Sequence, residues 1–91
     1  MVVNIFVIIT YDVNEKRVAK VCKHLRKFLS WTQNSVFEGE ITKGTLDKCL
    51  SQLKNIIDLN EDSVYLYKVK NPNHLDKEII GQFVEQDKLF L

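Results

Sequence analysis

The sequence has little that bends a chain and little that cross-links one: a single proline, three separated glycines and two cysteines in 91 residues. With 45% hydrophobic and 27% charged residues, that scarcity excludes disorder and predicts one domain, 1–91, with enough apolar side chains for a compact core. A domain this short buries a modest share of its surface, so help from a second copy is expected. Cys22 and Cys49 both fall at apolar helix positions. They predict two buried reduced thiols and a cytoplasmic protein rather than a disulfide or a metal site.

Other absences narrow the function. No segment reaches the roughly 18 apolar residues of a membrane span, so no membrane partner is expected. The apolar N-terminal stretch lacks a basic n-region and a small-residue cleavage site, and therefore reads as a mature strand. There is no Gly-rich phosphate loop, no HExxH, no CxxC and no G-x-S-x-G. His24 and His74 stand alone in polar contexts, which argues against general-base duty for either. Where an RNA-recognition motif would need its aromatic third-strand signature, this chain reads "EGEITKG".

What is present alternates cleanly. Val2 to Thr10 is β-branched and aromatic, predicting a central strand covered on both faces. "NEKRVAKVCKHLRKFL" places Val18, Val21, Cys22, Leu25 and Phe28 at helical spacing, with Asn14 as N-cap and Glu15 near the positive end of the dipole. "SWTQNSVFEGEIT" predicts two short strands joined or kinked at Glu38-Gly39. "GTLDKCLSQLKNII" predicts a second amphipathic helix burying Leu46, Cys49, Leu50, Leu53 and Ile57, with Thr45 as its cap and Asp47 in its first turn. "LNEDS" is a polar turn and "SVYLYKV" a strand.

The order β-α-β-β-α-β is that of an α+β, ferredoxin-like fold, with both helices on one face of an antiparallel sheet over about residues 1–70. Residues 71–91 follow the only proline and carry two apolar segments with no place in a complete four-stranded sheet. They predict extra C-terminal strands that pair with the partner subunit of a homodimer.

The net charge of +1 hides an asymmetry: residues 1–37 carry six Lys/Arg against two acids, and residues 38–91 seven against ten. Lys16, Lys20, Lys23 and Lys27 form one stripe about 17 Å long on the first helix, suited to the backbone phosphates of nucleic acid and blind to sequence. Neutral donors in "QNSVF" adjoin it, as strand-edge residues or as phosphate contacts. Asp12, at the exit of the first strand, is either a turn residue or half of a metal site. Alone it is a poor Mg²⁺ ligand set; near a two-fold axis it meets its own copy. Tyr11 beside it either packs on the sheet or holds a phosphate.

A first strand ending in Tyr-Asp-Val, an Arg shortly after, a Lys-rich helix, "QNSVFEGEI" and a later "EDSVYLY" together resemble the CRISPR-associated protein two family, the smaller of two near-universal CRISPR adaptation proteins. The resemblance covers about residues 2–81. It implies a ferredoxin-like homodimer with exchanged C-terminal strands, acting in spacer acquisition by bridging dimers of the CRISPR integrase. It also implies Mg²⁺-dependent endonuclease activity on duplex DNA or single-stranded RNA. Asp12 matches the family's metal ligand, with Tyr11 in the same catalytic element. Arg17, Ser35 and Phe37 match positions linked to activity or nucleic-acid contact, alongside Lys20, Lys23 and Lys27. The chain departs from the family at Arg17-Val18-Ala19-Lys20, where many members carry more basic residues, and at Phe28-Leu29, where Tyr-Gly is common.

Overall fold

The computed structural model of the protein describes residues 4–69. The elements run β1 (Asn4–Asp12), α1 (Glu15–Leu25), β2 (Ser30–Gln33), β3 (Val36–Thr42), α2 (Lys43–Lys54) and β4 (Ser63–Val69). The four strands form one antiparallel sheet in the order β2-β3-β1-β4. This is the expected ferredoxin-like arrangement. The pairing segment expected at 71–91 lies outside the described residues.

Strand alternation decides where the core sits. Val7, Ile9 and Tyr11 of β1, with Phe37 and Ile41 of β3, point to the helix side and cluster with Val21 and Leu25 of α1 and Leu46, Cys49 and Leu53 of α2. Fully burying each such aliphatic side chain contributes on the order of 1.5–3 kcal/mol. Phe6, Ile8, Thr10 and Asp12 point the other way, where register sets them beside Val69, Tyr67, Tyr65 and Ser63 of β4. Among the described residues no element covers that second face. Within the described residues the apolar run of the first strand therefore packs on one face, and Phe6, Ile8 and Thr10 on the other are half-buried.

The caps explain why the helices begin where they do. The Asn14 side chain accepts from the Lys16 amide at 3.0 Å, the predicted N-cap. In α2 the cap is Thr42 rather than Thr45: the Thr45 amide donates to Thr42 Oγ1 at 3.2 Å, so the helix starts at Lys43 and Asp47 lies beyond its first turn. The hairpin also differs from expectation. β2 and β3 meet at Asn34-Ser35, while Gly39 lies inside β3 opposite Val7. Gly39 has φ +157°, which L side chains rarely adopt, and the place its Cβ would take is 3.5 Å from Leu29 Cδ2. A glycine read as the joint or kink between two strands here serves a backbone conformation inside one strand that a side chain would strain.

Candidate nucleic-acid and metal site at the end of the first strand

Three loops converge where β1 ends. The hairpin tip approaches on one side: the Tyr11 amide donates to the Ser35 carbonyl at 3.2 Å, and the Tyr11 hydroxyl to the Asn34 carbonyl at 3.1 Å. On the other side β4 begins, with Ser63 in register with Asp12. The N-terminus of α1 follows two residues later. The sequence-predicted Tyr11, Asp12, Arg17 and Ser35 are therefore brought to one end of the sheet, and Lys20, Lys23 and Lys27 lead away from it.

Their situations differ. Asp12 is exposed, and among the described residues its carboxylate has no hydrogen-bond or ion-pair partner. Mg²⁺ usually binds through one or two carboxylates together with waters and substrate phosphates. Asp12 fits as one such ligand, and no group of three His, Cys, Asp or Glu among the described residues completes the set. Tyr11 is only 5% exposed, on the helix side, with its ring stacked on Phe37 at 6.2 Å between centroids. Burial first, and then the neighbouring Cys22 thiol, push its hydroxyl up to about 12. Its hydroxyl is a donor already engaged with the Asn34 carbonyl.

Arg17 is held by two acids. Its Nε donates to Asp62 Oδ2 at 2.6 Å and its Nη2 to Asp62 Oδ1 at 3.0 Å, a bidentate fork, while Glu61 Oε2 lies 3.1 Å from Nη2. Asp62 also accepts from the backbone amides of Asn14 at 2.8 Å and Asp58 at 2.9 Å. Its side chain is fully buried. The Arg17 guanidinium, chiefly, holds its carboxyl well below the usual carboxylate range, helped by those two amides against the opposing effect of burial. Asp62 thereby ties the loop after Asp12, the first turn of α1 and the entry to β4 into one unit. Arg17, expected as a nucleic-acid contact, is here the cation of this clamp.

Phe37, also expected at the nucleic-acid surface, is fully buried between Tyr11 and Trp31. Ser35 is exposed at the hairpin tip, in a turn rather than the expected strand. Gln33 turns its Oε1 into a buried position with no partner among the described residues. Lys16, Lys20 and Lys23 are exposed on α1, and Lys27 is exposed in the turn beyond it, so the stripe outlasts the helix. None of these four ammonium groups has a carboxylate partner among the described residues. His24, expected at the surface, is buried, with Nε2 2.9 Å from the Cys49 carbonyl, joining α1 to α2. Both thiols are free; Cys49 is buried and Cys22 half-buried. No described helix is long and apolar enough to cross a membrane.

Asp62 and Glu61 are what sequence reading missed. "EDS" reads as a polar turn, and nothing local marks it as the partner of a residue 45 positions away.

The fold and this strand-end carboxylate define a small ferredoxin-like α+β protein with an acidic group at one end of its sheet. The profile of the CRISPR associated protein Cas2 family matches residues 5–76, and the chain belongs to that family. It is 50% identical over 76 residues to a CRISPR-associated endoribonuclease Cas2 of Thermodesulfovibrio yellowstonii, covering 84% of this chain and 86% of the relative. A Thermotoga maritima protein of the same description is 46% identical over 76 residues, covering 84% and 87%. A crystal structure of a cas2 protein superposes with a TM-score of 0.80 at 40% identity, covering 88% of this chain and 90% of that one.

Proposed function

We propose that the chain acts in CRISPR adaptation as a homodimer that binds nucleic acid along α1 and bridges dimers of the CRISPR integrase. The observation that carries this reading is the lysine stripe: four exposed cations with no carboxylate partner among the described residues. A helix kept merely soluble usually mixes its charges. Such contacts are to backbone, independent of sequence and sensitive to salt. Neutralising Lys20, Lys23 and Lys27 together to Gln weakens duplex DNA binding and flattens the slope of log affinity against log salt by roughly 2.7, about 0.9 for each phosphate left without its cation. Unchanged affinity and slope would take α1 off the binding surface.

A second reading, Mg²⁺-dependent cleavage of single-stranded RNA, rests on where Asp12 stands. It shares the open face of the sheet with Phe6, Ile8, Tyr65 and Tyr67, and both tyrosines are 53% exposed. An apolar sheet face of this kind is suited to burial against a second copy. Two such faces packed about a two-fold axis bring the Asp12 carboxylates toward each other. When bound there, Mg²⁺ supplies the charge that activates water and offsets that of the phosphate under attack. The protein's part is to hold two carboxylates on rigid strand ends, which the Asp62 clamp stiffens. Titration of the dimer with Mg²⁺ tests this: one ion per dimer, lost in Asp12→Ala, is the expected result.

A further inference from the structure

Trp31 is the only tryptophan of the chain, and it stands on β2, the edge strand of the sheet among the described residues. Its register partner Phe37 points to the helix side and is fully buried, yet Trp31 remains 48% exposed. The ring is nevertheless fixed. Its Nε1–H donates to the Asn34 carbonyl at 3.2 Å, and its plane lies within 21° of Phe37 with centroids 6.5 Å apart. The Arg26 guanidinium lies over it, 4.4 Å from the centroid.

A lid over Phe37 explains why an aromatic stands here, but leaves half of a large indole in water beneath one flexible cation. Arg26, Lys23 and Lys27 are all exposed at the end of α1. An oriented aromatic ring bordered by cations is the combination that takes an unpaired base on its face and the adjoining phosphates on the charges. We propose that Trp31 and Arg26 form a stacking site for an unpaired nucleobase at the end of the lysine stripe. The base displaces the guanidinium from the indole, and Arg26 turns to a neighbouring phosphate, for which its fork is well shaped. A base inside a blunt duplex has no free face to offer, so the site distinguishes single strands and frayed ends from paired nucleic acid. It does not distinguish sequence.

This inference rests on the reading of α1 as a nucleic-acid surface, and the test separates the two. The full-length protein is titrated with single-stranded RNA of about a dozen nucleotides, single-stranded DNA of the same sequence and a blunt duplex. Binding is read from the anisotropy of a labelled strand, and stacking from the emission of Trp31 with unlabelled strands. Expected is quenching by both single strands at the midpoint that anisotropy gives, and little quenching by the duplex. Trp31→Ala weakens single-strand binding by about 5- to 140-fold, the range of one base stack, and leaves duplex affinity unchanged. Trp31→Phe, which keeps the packing against Phe37, falls between. Single-strand binding without quenching, or quenching by the duplex to the same depth, overturns the stacking site while the α1 surface stands. Failure of any strand to bind overturns both.

Discussion

Tyr11 and Asp12 are consecutive residues of one strand, and they have opposite lives. Tyr11 points to the helices, buried and hydrogen-bonded to the hairpin tip; Asp12 points to the open face and has no partner among the described residues. The two-residue period of a strand makes that division unavoidable. The same division recurs on α1, where Arg17 is clamped by Asp62 while the lysines of the stripe face solvent. At this end of the molecule, one set of side chains builds the platform and another stands on it. Substitutions in the first set should move stability, and those in the second should move binding or chemistry.

The sharpest way to break that division is Phe37→Ala. Phe37 is fully buried against Tyr11 and Trp31, so truncation removes transfer energy and leaves a cavity, at a cost of about 3–5 kcal/mol. Denaturant unfolding measures this, and the surviving folded fraction should bind duplex DNA with unchanged affinity. A stable variant that no longer binds would return Phe37 to the working surface.

Asp62 comes next, and its signature is pH. A carboxylate held below its ordinary value of 3.8 contributes stability that is fully present above that value and is lost as pH falls toward the folded-state value. The wild type should therefore lose melting temperature progressively below about pH 4. Asp62→Asn keeps the shape but loses the charge that Arg17 grips, so it should melt lower at neutral pH and show a shallower acid limb. Parallel melting curves of the two proteins against pH would mean that the clamp contributes nothing.

Periodicity made much of this platform legible. The element order, the N-cap at Asn14, and the buried Val21, Leu25, Leu46, Cys49 and Leu53 all follow from apolar spacing in the chain. What escaped was set by packing across the fold. His24 reads as surface because it is polar, and is buried because the Cys49 carbonyl of the other helix meets its ring. Gly39 reads as the joint or kink between two strands because glycine usually marks one, while Asn34-Ser35 makes the turn. Arg17 reads as a phosphate contact like its basic neighbours. Only the folded chain sets Asp62 against it. In the site itself, Asp12 was legible as a strand-end carboxylate, whereas its freedom from partners among the described residues emerges only when Arg17, Asn14 and Asp62 are seen to satisfy one another.

The smallest effects on stability give the cleanest comparison, because they separate the two consecutive residues. Tyr11→Phe removes one hydrogen bond, to the Asn34 carbonyl, at a cost of about 1 kcal/mol. It also removes part of the alkaline loss of stability. A hydroxyl raised from 10.0 to about 12 stays neutral in the folded chain while the unfolded chain ionises, so folding weakens as pH rises across that interval. Cys49, raised from 9.0 to about 11, gives its own loss at lower pH, and that loss should persist in the variant. Any metal-dependent cleavage should survive Tyr11→Phe, because the hydroxyl lies on the helix side of the sheet. Asp12→Ala should do the reverse: stability within about 0.5 kcal/mol of wild type, since an exposed side chain without partners is removed, with Mg²⁺ binding and cleavage abolished together. Melting temperature and metal titration on the same two variants decide it. If Tyr11→Phe abolishes cleavage at unchanged stability, the phenol belongs to the chemistry and the two faces of β1 are not divided as drawn.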